Sequence, residues 1–228
     1  MMSQGSVLER TPVDEPGGDE WVQRFGLTER FAHWWTVLMV AVALGTGPAQ
    51  GDDGGGWLFT AHWGAVVLIG VGLLAAVVLG DTRALLRAAW SLFSIDRRDV
   101  NWVRDHLRHP LGGHDHGEYG MFNPAQKALA WALAAALGVV IYTGIAAAND
   151  AGGGGLHGGA VVVAAVLLGA HVFMAVLNPA TNHALHGMVF GRVRRSWAAR
   201  HHGGWLDDQS HEHPIAAAHT AEPDHRSR

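Results

Sequence analysis

Residues 156–177 read LHGGAVVVAAVLLGAHVFMAVL, a run with no charged residue and with histidines at 157 and 171. Fourteen residues make just under four α-helical turns, so both rings leave nearly the same face, separated by ~21 Å of rise. That is most of the ~30 Å hydrocarbon thickness of a bilayer. A polar, metal-liganding side chain is costly in lipid and marks a functional site. Two of them at two depths of one helix point to two stacked metal centres.

The rest of the chain supports a membrane setting. Of 228 residues, 49% are hydrophobic and 16% charged, against roughly 25% charged in soluble domains. Charge is absent over 31–51, 54–80, 128–149 and 151–191. Four spans are therefore expected, at about 31–46, 62–80, 126–148 and 156–177, each long enough to cross with modest tilt. The competing reading, buried helices of a soluble bundle, requires a polar face that these runs lack. Around them the sequence divides into a polar arm at 1–23, a membrane domain at 24–206 and a tail at 207–228 expected to be disordered. The first 30 residues lack the apolar core of a signal peptide.

Orientation follows from the cations. All 16 Lys and Arg fall in the N-terminal arm, the 81–127 loop or the C-terminal tail, and none in the 46–61 or 149–155 loops. Four spans put those three segments on one side, which the positive-inside rule makes cytoplasmic. The expected location is a bacterial inner membrane with both termini inside. Within the 81–127 loop, TRALLRAAWSLFSI has an apolar stripe beside Arg83 and Arg87. It reads either as an amphipathic helix on the membrane surface or as a loop helix packed on the bundle ends.

This topology sorts the histidines by depth. His33 opens span one near the cytoplasmic face. His62 opens span two and His157 opens span four, both near the outer face. His171 lies ~21 Å further down span four, toward the cytoplasm. The pairs are then His62 with His157 and His33 with His171, each a bis-imidazole set from two helices, as a six-coordinate b-type haem needs. A single histidine at a helix lip also reads as an interfacial residue; it is the pairing that joins all four. Zinc is the other metal to weigh, but no carboxylate occurs within the spans to complete a hard-ion site. With no cysteine, covalent haem attachment and Cys-ligated clusters are excluded, so two non-covalent b haems are expected.

Gly64, Gly70, Gly72, Gly138, Gly144, Gly158, Gly159 and Gly169 suit either close helix packing or a flat ligand. Trp34, Trp35, Trp57 and Trp63 fall where aromatic belts are expected. His114 and His116 read as part of a solvated loop. His183 and His186 follow Asn178-Pro179 and are ligand candidates only if the fourth helix continues through it. His201 and His202 are expected at an interface or in water.

Several segments carry a family likeness: RFGLTERFAHWW at 24–35, FNPAQK at 122–127, YTG at 142–144, HVFMAV at 171–176 and GMVFGRVRRSWAARHHGGW at 187–205. As an ordered set spanning 24–206, they resemble the cytochrome b (gamma) subunits of membrane-bound formate dehydrogenases and the related nickel–iron hydrogenases. The WAARHHGGW ending looks more like the formate dehydrogenase branch. The resemblance places haem ligands on His33, His62, His157 and His171, the four that depth selects. It implies a menaquinone pocket at the cytoplasmic haem, with polar contacts from Asn123, Gln126 and the His171 edge. Pro124 departs from the family pattern there, as does the NPATNHALHG segment.

The expected function is that of a diheme electron carrier and membrane anchor. The expected path runs from a peripheral iron–sulfur subunit through the outer pair to the inner pair and on to quinone. A molybdopterin-containing partner subunit would oxidise formate; this chain has no chemistry for that step. Lipid and quinone complete the expected partners, with no nucleic acid. The alternatives are a hydrogenase or thiosulfate-reductase-type cytochrome b with the same fold, and a histidine-using metal permease. The topology is tested by alkaline phosphatase fusions. A fusion in the 149–155 loop should be active and one at the C-terminus inactive; an active C-terminal fusion reverses the orientation and both depth assignments.

Overall fold

The computed structural model describes residues 20–47, 56–108, 119–149, 154–178 and 181–212. It is helical apart from one small two-stranded ribbon. The long helices are α1 (Leu27–Thr46), α2 (Trp57–Leu79), α5 (Pro124–Ala148) and α6 (Gly154–Val172). Between the halves lie α3 (Thr82–Phe93) and α4 (Arg97–Arg108). After α6 come a π-helical turn (Phe173–Leu177), α7 (His183–Phe190) and α8 (Arg195–Glu212). Strand β1 (Trp21–Gln23) pairs antiparallel with β2 (Arg192–Arg194).

Three helical stretches are long and apolar enough to cross a membrane: Trp57–Leu79, Pro124–Ala148 and Gly154–Leu177. In the most apolar windows of the last two, no residue is buried by the rest of the chain. Leu73, Val78, Val162 and Val166 point outward, apolar area that belongs in hydrocarbon. Helix α1, the first expected span, is less apolar because Glu29, Arg30, His33 and two tryptophans occupy its first half.

Local sequence sets the helix ends. Asp81 caps α3 by accepting from the Ala84 amide at 3.0 Å, which fixes the chain reversal after α2. At the start of α5, Asn123 Oδ1 accepts from the Gln126 amide and Gln126 Oε1 accepts from the Asn123 amide. This is a capping box with Pro124 at the first helical position, where its missing N–H costs nothing. Pro124 therefore fits the helix start rather than distorting it.

The four long helices form two hairpins. Helix α1 packs along α2, and α5 along α6, whereas helices of opposite hairpins make few or no close backbone approaches among the described residues. Gly72 shows how tight the first hairpin is: a Cβ there would stand 2.1 Å from the Trp35 ring. Trp35 Nε1 also donates to the Leu68 carbonyl at 2.7 Å. Trp35 is thus a bolt between α1 and α2 and not a belt residue, because Gly72 opens a slot for its indole. Trp57 remains exposed, as a belt residue would.

Helix α3 unites the two readings of its sequence. It packs on the ends of α1, α2 and α5 while Leu86, Trp90 and Phe93 stay exposed. Helix α8 runs to Glu212, past residue 206. His114, His116 and most of the glycine-rich turns lie outside the described residues.

Candidate functional site

The four histidines meet in the two expected pairs. The rings of His33 on α1 and His171 on α6 have centroids 6.2 Å apart and planes at 53°. Those of His62 on α2 and His157 on α6 are 6.4 Å apart with planes at 90°. Each pair bridges the two hairpins. A ring nitrogen lies about 1.2 Å from its centroid and a metal–imidazole bond is about 2.0 Å, so two imidazoles sharing one metal would stand with centroids about 6.4 Å apart. Both pairs have that separation, at opposite ends of α6.

Hydrogen bonds hold both rings of the His62–His157 pair. His62 Nδ1 lies 3.0 Å from the Ala43 carbonyl on α1, and His157 Nδ1 lies 3.1 Å from the Val140 carbonyl on α5. A carbonyl only accepts, so in both rings Nδ1 carries the proton and donates. Nε2 is left with the lone pair that a metal takes. Each ring is thus held by the other helix of its own hairpin. Thr143 Oγ1 stands 3.4 Å from His157 Nδ1 and supports the same ring.

Small residues give these rings room. A Cβ on Gly144 would stand 3.1 Å from His157 Cε1, and one on Gly47 would stand 3.4 Å from His62 Cε1. Of the other glycines expected to admit a flat ligand, Gly64, Gly70, Gly138, Gly158, Gly159 and Gly169 face open space. Packing between the hairpins is sparse, and the two imidazole pairs span it. Paired imidazoles at this spacing fit the nitrogen donors that would hold a b-type haem. Among the described residues no cluster of three or more His, Cys, Asp or Glu occurs, so the histidines stand as pairs and not within a larger ion cage.

His183 and His186 sit elsewhere. The π turn ends α6 at Asn178, whose amide donates to the Phe173 carbonyl, and α7 begins a new direction. His183 stacks with Trp197 and His186 with Trp21 at 4.6 Å. Both belong to a cap built from β1, β2, α7 and α8.

The centre of that cap is Arg24. It is buried, with Nη2 donating to the Met121 carbonyl at 2.6 Å. Nη2 also approaches His202 Nε2 at 3.2 Å, and His202 Nδ1 donates to the Gly120 carbonyl at 2.8 Å. The guanidinium lies 5.3–5.7 Å from the ring centroids of Phe25, Trp197 and Trp205, and aromatic faces stabilise a cation. No carboxylate pairs with Arg24 among the described residues, and its Nε and Nη1 have no hydrogen-bond partner. Burial pushes its pKa down to about 10. Burial, then the Arg24 charge, push His202 from its ordinary 6.5 down to about 3, with His201 adding slightly and the Gly120 carbonyl opposing. His202 is thus interior, not the interfacial residue its polarity suggests. Its signal in the sequence was the indole spacing of SWAARHHGGW, which brackets it with Trp197 and Trp205.

The fold and the facing histidines define a class: a helical membrane protein that presents paired imidazoles between two hairpins. Residues 24–191 match the family of prokaryotic cytochrome b561, and the chain belongs to that family. It is a membrane b-type cytochrome that serves electron transfer, and its cofactor class is b-type haem. No curated protein matches the chain. The matched span contains all four histidines and ends before α8.

The cap makes stability depend on pH. Below pH 6.5 the unfolded chain takes up a proton at residue 202 that the folded chain refuses until about pH 3. Stability therefore falls as pH drops through that window, by up to ~1.4 kcal/mol per pH unit from this group. The thermal midpoint of the purified protein should fall between about pH 7 and about pH 5, and His202→Gln should flatten that slope. An equal slope in wild type and variant would mean that other groups set the acid sensitivity.

Proposed function

We propose that this cytochrome is the diheme membrane subunit of a formate dehydrogenase complex, with α1, α2, α5 and α6 as a four-span bundle. The observation that carries this reading is the imidazole geometry: two pairs, each at the spacing of a bis-histidine haem, at the two ends of α6. His62 and His157 hold the outer haem; His33 and His171 hold the inner one. When bound, each haem supplies a one-electron iron couple.

The chain carries electrons from an iron–sulfur partner subunit on the outer face to menaquinone on the cytoplasmic face. A molybdopterin-containing subunit oxidises formate. Reduction of the quinone takes two electrons and two protons, and taking the protons from the cytoplasm builds proton-motive force. At the quinone, the capping box uses the amide oxygens of Asn123 and Gln126. Contact with a quinone carbonyl therefore falls to their Nδ2 and Nε2 donors, ~1 kcal/mol each. The orientation, with both termini cytoplasmic in a bacterial inner membrane, rests on the one-sided distribution of Lys and Arg. The assignment to formate dehydrogenase, over a hydrogenase or thiosulfate reductase, rests on the likeness of residues 197–205 to that branch.

The ligand set predicts a paired pattern of loss. His33→Ala and His171→Ala should each remove the same haem, halving the reduced-minus-oxidised α-band. His62→Ala and His157→Ala should remove the other. Loss of haem in a His183 or His186 variant, with His171→Ala keeping both, would overturn the assignment on α6.

A further inference from the structure

Arg30 carries a charge that no carboxylate balances among the described residues. Its Nη2 donates to the Val189 carbonyl, while its Nε is buried with no hydrogen-bond partner. Glu29, its neighbour in sequence, is engaged elsewhere. Its Oε2 lies 2.9 Å from where a Cβ on Gly26 would stand, in the first turn of α1, where the helix dipole favours an anion. Leaving a donor of a charged group buried and unsatisfied is costly. The guanidinium therefore lacks a negative partner that the chain itself does not supply.

Its position says what that partner is. Arg30 stands three positions before His33, so both project from one side of α1. The contacts agree. Trp34 meets the His33 ring edge-on, with centroids 5.3 Å apart, and its Nε1 donates to the Met188 carbonyl at 3.0 Å. Arg30 donates to the next carbonyl along, that of Val189. Gly191, at φ 82°, leaves the guanidinium its place: a Cβ there would stand 3.2 Å from Nη1. Within four positions of His33, His62, His157 and His171, no other Lys or Arg occurs. The His62–His157 pair thus has no such charge on its own helical turns.

We propose that Arg30 holds a propionate of the haem bound by His33 and His171 and raises the potential of that haem. The inference rests on the diheme reading above. Haem b carries two carboxylates on an otherwise apolar rim, so a propionate is the anion that arrives with the ligand. A guanidinium suits a carboxylate in geometry and in charge. A cation kept beside an iron couple favours the reduced form, because it attracts the added electron, and it does so strongly where the dielectric is low. The His62–His157 haem lacks that aid. The difference favours electron transfer from the His62–His157 pair toward the His33–His171 pair, the direction proposed above.

The test uses the full-length holo-cytochrome in detergent, as wild type, Arg30→Gln and Arg30→Lys. In a redox titration read at the α-band, Arg30→Gln should lower one midpoint and leave the other in place. Arg30→Lys, which keeps the charge, should stay close to wild type. In the resonance Raman spectrum a propionate bending mode should shift in Arg30→Gln. Transfer of haem to excess apomyoglobin should become about 10- to 100-fold faster for half of the haem in that variant, the scale of one charge-assisted hydrogen bond. A tie to Val189 and nothing more would lower thermal stability while the propionate modes and both midpoints stay where they are, and that result overturns the proposal. Should Arg30→Gln fail to accumulate, the wild type still decides: propionate modes at the position of free carboxylates overturn it too. A wild type with no haem at His33 and His171 sinks the diheme reading and this inference together. Two haems with midpoints indifferent to Arg30→Gln sink this inference and leave the diheme reading standing.

Discussion

Two backbone carbonyls, those of Ala43 and Val140, each take the Nδ1 proton of a histidine on the neighbouring helix. The rest of the architecture depends on this contact. An imidazole in an apolar bundle must be hydrogen-bonded, and a ring held at Nδ1 turns its Nε2 lone pair away from the helix that holds it. The two carbonyls belong to different hairpins, and the two rings they hold stand with centroids 6.4 Å apart between them. The hairpins must then stay apart, since any side chain filling that space would block the metal. The sparse contact between hairpins is a consequence of the same requirement.

Holding two hairpins apart leaves little to fix their relative position, and the cap around Arg24 supplies that constraint. Arg24 precedes α1, Met121 precedes α5, and His202 belongs to α8, so one guanidinium ties both hairpins and the C-terminal helix together. Removing Arg24 from this buried network leaves two acceptors, the Met121 carbonyl and His202 Nε2, without a donor, at roughly 1–3 kcal/mol each. Trp34 adds a further tie, with Nε1 donating to the Met188 carbonyl on α7 at 3.0 Å. Arg30 likewise donates to the Val189 carbonyl. The end of α1 that carries His33 is thus anchored to the segment that follows His171, which keeps the His33–His171 pair in register.

Much of this was legible in the sequence because the membrane simplifies the code. Four charge-poor runs, one-sided cations and the fourteen-residue spacing of His157 and His171 were enough to pair the histidines before any coordinates. What the sequence hid had local physical causes. Trp35 looked like a belt residue, since nothing in α1 alone reveals the slot at Gly72 on α2. His202 looked like a surface residue, since its burial depends on Arg24, 178 positions away. Asn123 and Gln126 read as quinone contacts, yet their spacing of three before an apolar run is also a capping signature, and the capping box is what their amide oxygens form. Strands β1 and β2 were missed because three residues carry no readable alternation, and their pairing follows from the cap.

The central claim is that each hairpin-bridging histidine pair holds one haem. Its most direct test is the haem-to-protein ratio of the purified wild-type cytochrome, from the pyridine haemochrome spectrum against protein determined by amino-acid analysis. The account predicts two b-type haems per chain, both low-spin when oxidised. One haem per chain, or a high-spin signal from either, would contradict it.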